Sequence, residues 1–185
     1  MTTATTTTTT TTKWGIDNAH SELSFKVRHM MVSNVRGKFG KFDGKINTTE
    51  DDFTNAEIEI NIESNSVLTG DDQRDGHLKS PDFFDAENHK NITFRSTSMQ
   101  KKSDDLYELK GDLTIKGVTK PVTFQVEHGG ILKDPWGNEK AGFTLNGKIN
   151  RKDWNLNWNT VLEAGGVLVG EEVALTADVE LAKVK

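Results

Sequence analysis

The 185-residue chain has no cysteine, so it can hold neither a disulfide framework nor a thiolate metal site, and redox chemistry does not indicate its compartment. It also lacks the run of about 18 consecutive apolar residues that a membrane-spanning helix needs. Its net charge is −5 with both signs mixed along the chain. Lys13, Lys101 and Lys102 make no basic stripe, which argues against nucleic acid as a partner. No GxSxG, Walker A, GxGxxG or HExxH motif occurs. Ser98 and Lys101 match SxxK but fall at the end of a strand pattern, without the helical geometry that brings Lys to Ser. The five histidines (20, 29, 77, 89, 128) form no i,i+2 or i,i+4 pair, so the spacing gives little support to a preformed metal site. Hydrophobic residues are only 34% of the chain, and mean hydropathy is −0.60. That is too polar for a helix-rich globule with a thick core. A sheet whose alternate residues face water resolves the difficulty.

Period-2 alternation is what the sequence does contain, and it recurs from residue 13 to 185. In 21–30, Leu23, Phe25, Val27 and His29 share one face while Ser24, Lys26 and Arg28 share the other. In 56–63, Ala56, Ile58, Ile60 and Ile62 alternate with Glu57, Glu59, Asn61 and Glu63, a run that on a helix would put Glu in the core. Val35, Gly37 and Phe39 are out of phase with Phe42, Gly44 and Ile46. A one-residue slip at Gly40 realigns them as a bulge in one bent strand, with two shorter strands as the alternative. Turn signals lie at 117–120 and 134–138. Only 69–80 reads as a helix, with Thr69 as candidate cap, Asp71 and Asp72 at its positive end, and Pro81 as its stop. Residues 1–12 are low-complexity Thr without the basic start and apolar run of a signal peptide. They are expected to be a disordered tail, with the folded domain over 13–185. Eight or nine strands and one short helix make an all-β barrel or sandwich; an eight-stranded antiparallel barrel is favoured because closure removes the edges, with an open sandwich as the alternative from pattern alone.

The inward phase is apolar and aromatic, carrying Phe25, Phe39, Phe42, Phe94, Phe124 and Phe143. Such a face either fills the barrel or lines a cavity. Small residues in the same phase (Gly37, Gly44, Gly111, Gly147, Ala177) leave room beside large neighbours. Apolar groups outside the strands, in 30–32, 83–84 and 154–170, also need somewhere to bury or a mouth to line. His29 and Arg151 are inward-phase polar residues at strand ends. Each is either a partnered rim group or a contact for a ligand's polar head. Arg74 and His77 lie at i and i+3 on the short helix, and either share that contact or brace the helix through Asp75, Asp82 or Asp85.

The segments 17–39, 71–86, 91–96, 111–124, 133–143 and 149–159 occur in an order that resembles the YceI-like family over essentially all of 13–185. Among them are DNAHSELSFKVRH, DDQRDGHLKSPDFFDA and GDLTIKGVTKPVTF. The resemblance implies an extended, lipocalin-like, eight-stranded barrel with one short helix near its opening. It implies a non-catalytic carrier or store for a long polyisoprenoid lipid, an isoprenoid quinone or a polyprenyl phosphate, in a hydrophobic channel. No cofactor is expected beyond that ligand, no metal, and no membrane span. Stress protection and homodimers follow from the same likeness. The lipid-binding residues it suggests are Phe25, Val27, His29, Met31, Phe39, Phe42, Leu78, Phe83, Phe84, Phe94, Phe143, Arg151, Leu156, Trp158 and Val161. The chain departs from the pattern at His89-Lys90, where relatives often have Tyr-Pro, and at Trp154-Asn155, where they often have Phe-Gly. Many relatives carry a secretory signal. Without one here, a cytoplasmic location is expected, or a periplasmic one if the native N-terminus was replaced. The alternatives from other classes are a barrel enzyme acting on a small amphiphile and a filled-barrel interaction module.

Overall fold

The computed structural model describes residues 8–163 and 165–185. Its strand segments are β1 (Thr11–Ile16), β2 (Glu22–His29), β3 (Ser33–Phe39), β4 (Phe42–Thr49), β5 (Asp52–Glu63), β6 (Val67–Leu68), β7 (Asn91–Lys101), β8 (Leu106–Ile115), β9 (Val118–Lys133), β10 (Glu139–Asn150) and β11 (Val169–Lys183), with one α-helix, α1 (Asp72–Lys79). Every pairing is antiparallel. β11 closes the sheet by pairing with β2 over Val169–Asp178 and with β1 over Leu181–Lys183. Thus β1 and β2 act as one interrupted strand along β11, and β3 and β4 act as one along β2 and β1. Counted this way, the molecule is a closed eight-stranded antiparallel barrel.

The phase change at Gly40 is a real discontinuity. β3 ends at Phe39, β4 begins at Phe42, and Gly40 N–H donates to the Ser66 carbonyl at 2.9 Å. The out-of-phase sets therefore both turn inward. Two expectations need correction. Residues 1–7 of the anticipated tail lie outside the described residues, but Thr11 and Thr12 are in β1, paired with Thr49 and Thr48. Thr and β-strand geometry are compatible, and a neighbouring ladder was enough to order a segment that composition assigned to disorder. The helix is capped by Asp71, whose carboxylate accepts from Arg74 N–H at 2.9 Å, not by Thr69. Thr69 instead meets the buried Asp75, donating from its backbone N–H at 2.8 Å and from its hydroxyl at 2.5 Å.

One end of the barrel is stoppered by aromatic packing. Phe53 lies 5.3 Å from Trp14 and 4.7 Å from Phe143, ring centroid to centroid. Trp14 is fully buried, and its indole N–H donates to Thr48 at 3.0 Å. The inward glycines are filled by their neighbours. A methyl on Gly37 would collide with the Phe25 ring, on Gly111 with Phe94, and on Gly147 with Phe124. Each ring lies over a neighbouring strand's glycine, where only a hydrogen permits the approach. Phe25 and Gly37 are direct cross-strand partners.

Candidate ligand-binding site

Two adjoining cavities occupy the barrel. The deeper one measures about 180 Å³ and is bounded by Ile16, Ile60, Phe94, Phe124, Phe143 and their neighbours. The outer one measures about 620 Å³ and opens beside α1. Five side chains, Phe25, Phe39, Ile62, Leu113 and Leu175, belong to both walls and form the neck region where the two chambers meet. The outer volume is in the range of small-molecule sites. The apolar wall of both chambers follows directly from strand alternation, since every second residue of each strand points inward.

Twelve of the fifteen sequence-predicted residues line this passage. Phe94 and Phe143 face the deep chamber, and Phe25 and Phe39 the neck. Val27, His29, Leu78, Phe83, Phe84, Arg151, Leu156 and Trp158 face the outer chamber. Three are elsewhere. Phe42 is buried but lines neither chamber. Met31 and Val161 are exposed, at 57% and 79%. Met31 follows the end of the β2 alternation, where Met30 and Met31 both take left-handed backbone conformations and carry the chain around a turn. Val161 forms a small bridge with Val167 on the outside of the 154–170 segment, whose burial is supplied by Trp154 and Leu156. Leu175 and Leu168 are wall residues that the candidate set omitted.

The mouth is built where α1 and the segment carrying Trp158 lean on each other. Trp158 packs edge-on against His77, with centroids 4.6 Å apart, and Phe83 lies 5.1 Å from His77. His77 Nε2 is 2.9 Å from Asp82, which fixes the ring from its other side. Arg74 braces the helix through Thr69, donating to its hydroxyl at 2.8 Å and its carbonyl at 2.9 Å.

Arg151 is 3% exposed, yet it makes no salt bridge among the described residues. Its guanidinium donates to the carbonyls of Gly170 (2.8 Å), Trp158 (2.9 Å), Val169 (3.2 Å) and Leu156. Burial lowers its pKa from the ordinary value, while the Glu171 carboxylate opposes that shift. Four backbone acceptors satisfy its hydrogen bonding, so Arg151 ties the mouth segment to β11. The polar part of the outer wall is completed by Arg28, His29, Asp71, Gln73, Arg74 and His77, a set with more cations than anions.

A second polar cluster lies outside the barrel, where β1 breaks before β2. Asp17, His20 and Glu180 bring ligand-type atoms within 4.8 Å of one another. Lys140 Nζ sits 2.8 Å from Asp17 and 3.4 Å from Glu180, so the carboxylates already have a cation. Hydrogen bonds from Lys140 and then His20 lower the Asp17 pKa to about 2, and Asp17 in turn raises that of His20. The cluster latches the strand break to β10 and β11.

Comparison with known proteins places this geometry in context. A model of the YceI-like domain matches residues 14–181. A UPF0312 protein of Staphylococcus aureus (strain bovine RF122 / ET3-1) is 39% identical over 170 residues, 91% of this chain and 96% of that protein. The crystal structure of Burkholderia cenocepacia BcnA superposes with a TM-score of 0.77 at 22% identity, covering 89% of this chain and 98% of that one. A polyisoprenoid binding domain from Saccharophagus degradans, implicated in plant cell wall breakdown, superposes with a TM-score of 0.68 at 17% identity, covering 92% and 98%. Both likenesses are of fold.

Proposed function

The chain belongs to the YceI-like domain family, and on that premise we propose that it binds a long polyisoprenoid lipid without transforming it, as a carrier or store. The observation that carries this reading is the pair of adjoining apolar chambers inside the barrel, one reaching toward the Phe53–Phe143 packing and the other beside α1. An extended isoprenoid would thread from the outer chamber through the neck into the deep one, leaving its polar head among Arg28, His29, Arg74 and His77. Burying each branched apolar unit of this size is worth roughly 1.5–3 kcal/mol, so several such units suffice without an ion pair. The Saccharophagus degradans domain of the same fold is described as polyisoprenoid-binding, which supports the choice of ligand class. An isoprenoid quinone and a polyprenyl phosphate both fit the reading. Catalysis is not part of it, because the deep chamber is lined almost wholly by hydrocarbon, with Ser24 and Thr176 its polar wall residues.

The neck provides the test. Detergent-free protein is titrated with isoprenoid quinones and polyprenyl phosphates of increasing chain length, followed by tryptophan fluorescence, and the ligand is re-extracted intact. Saturable binding that strengthens with chain length is expected. Leu175→Trp, which narrows the neck, should abolish the gain from the longer chains while short ones still bind. Binding that is indifferent to both chain length and neck width would overturn the reading.

A further inference from the structure

We infer that the tip of the β2–β3 hairpin and the adjoining Val161 form a docking surface that seats the chain, mouth first, on an anionic lipid bilayer. The inference extends the lipid-carrier reading and can fail independently of it. Met30, Met31 and Val32 are 45%, 57% and 79% exposed, and Val161 is 79% exposed. They are neighbours in space. The Met31 sulfur lies over Gly166, Met30 N–H donates to the Leu168 carbonyl at 2.7 Å, and Val161 pairs with Val167. His29, Leu168 and Val169, beside them, line the outer chamber. The apolar tip is therefore continuous with the rim of the passage.

Folding alone does not account for these residues. Val32 N–H closes the turn on the His29 carbonyl at 3.2 Å, with Met30 at φ 50° and Met31 at φ 61°. Asn and Gly are the residues that such left-handed turn positions favour, and two methionines there carry a steric cost. The flanking strands show a second departure. Residues 22–41 contain Lys26, Arg28, Arg36, Lys38 and Lys41 against Glu22 as the single acid, in a chain of net charge −5. All five cations are exposed. Lys38 pairs with Glu22 and Lys41 with Glu63, while Lys26, Arg28 and Arg36 have no carboxylate partner among the described residues. Lys26 and Arg36 stand directly opposite each other in the ladder, a like-charge pairing that weakens a hairpin by itself.

A strained apolar tip flanked by unneutralised cations has the pattern of an interfacial element. The apolar residues enter the headgroup boundary, and the cations meet anionic headgroups. A bilayer is favoured over a protein partner because the surface adjoins the outer chamber, which the proposed function assigns to a lipid. Seated there, the mouth would face the phase from which such a ligand comes.

The full chain is tested by flotation with phosphatidylcholine vesicles made with and without phosphatidylglycerol. Binding to the anionic vesicles, weakened by salt, is expected. Met30→Asn/Met31→Gly should reduce it by about tenfold or more, as expected for removing inserted apolar side chains. That variant supplies the residues the turn prefers, so its Tm should be unchanged or raised. It should also retain ligand in solution, read by mass spectrometry, because neither methionine lines the passage. Lys26→Glu/Arg36→Glu should lose binding and its salt dependence together. Absence of flotation, equal flotation of the Asn-Gly variant, or loss of its ligand retention in solution would each overturn the inference. So would a solution dimer that the Asn-Gly variant abolishes, which would assign the surface to a second copy.

Discussion

The His77 imidazole meets the Trp158 indole edge-on, with centroids 4.6 Å apart and planes at 89°. This contact joins α1 to the segment carrying Trp158 across the mouth, and it therefore bears on how readily the passage opens.

Removing the indole should loosen the mouth without touching the barrel ladder. Trp158→Ala is expected to speed release of a bound polyprenyl ligand by about tenfold, the consequence of losing roughly 1.4 kcal/mol of contact. Stopped-flow dissociation measures this. An unchanged off-rate would mean that Trp158 is not part of the barrier.

Arg151 has a different role, since its hydrogen bonds go to backbone carbonyls of its own mouth segment and β11. Arg151→Met keeps much of the side-chain length but leaves those buried acceptors without donors. A loss of about 3 kcal/mol in urea-induced unfolding is expected, from several unsatisfied groups at 1–3 kcal/mol each, partly relieved by water. A head-group role alone would leave stability unaffected.

His128 stacks on Phe143 at 4.6 Å with an 11° tilt, and its Nε2 has no hydrogen-bond partner among the described residues. Burial, with Lys101 adding to it, lowers its pKa below 6.5. The unfolded chain therefore binds a proton before the folded one does. The stability contributed is fully present above pH 6.5 and falls as pH drops from there toward the lowered value. His128→Phe should flatten that limb of a Tm-versus-pH curve. If the slope just below pH 6.5 persists in the variant, another group is responsible.

Asp17 titrates in a separate window. Its folded pKa of about 2 lies below the ordinary 3.8, chiefly through the Lys140 hydrogen bond. Its contribution is present above pH 3.8 and is lost as pH falls toward 2. Asp17→Asn should remove the steep part of acid unfolding in that interval and leave the His128 limb intact. Unfolding monitored by circular dichroism from pH 5 downward, about as far as the folded pKa, compares the two chains.

Strand alternation made the barrel and most of the passage wall readable from sequence, because one inward residue in two is a requirement of closure. Phe25, Val27 and His29 lie where their phase put them, as do Phe94 and Phe143. Alternation could not show where a strand stops. Met31 lies one residue beyond a left-handed Met30, and the inward phase does not survive that step. Phe42 keeps the phase, but burial and cavity lining are separate outcomes, decided by what packs opposite. The inward glycines were misread as room because nothing in a single strand reveals that neighbouring strands aim phenyl rings at Gly37, Gly111 and Gly147 and isoleucines at Gly44. Helix capping by Asp71 in place of Thr69 depended on Asp75 capturing Thr69, a tertiary contact invisible to a local pattern. Arg151 was recognisable as an inward cation, but its carbonyl partners became visible only once the mouth segment was folded over it.

The most direct test of the lipid-carrier proposal is native mass spectrometry, with lipid extraction, on protein purified from bacterial cells without detergent. A discrete mass above that of the chain, releasing an intact polyprenyl compound, is the expected result. A chain-only mass that persists after incubation with isoprenoid quinones and polyprenyl phosphates would contradict it and leave a barrel whose passage serves some other purpose.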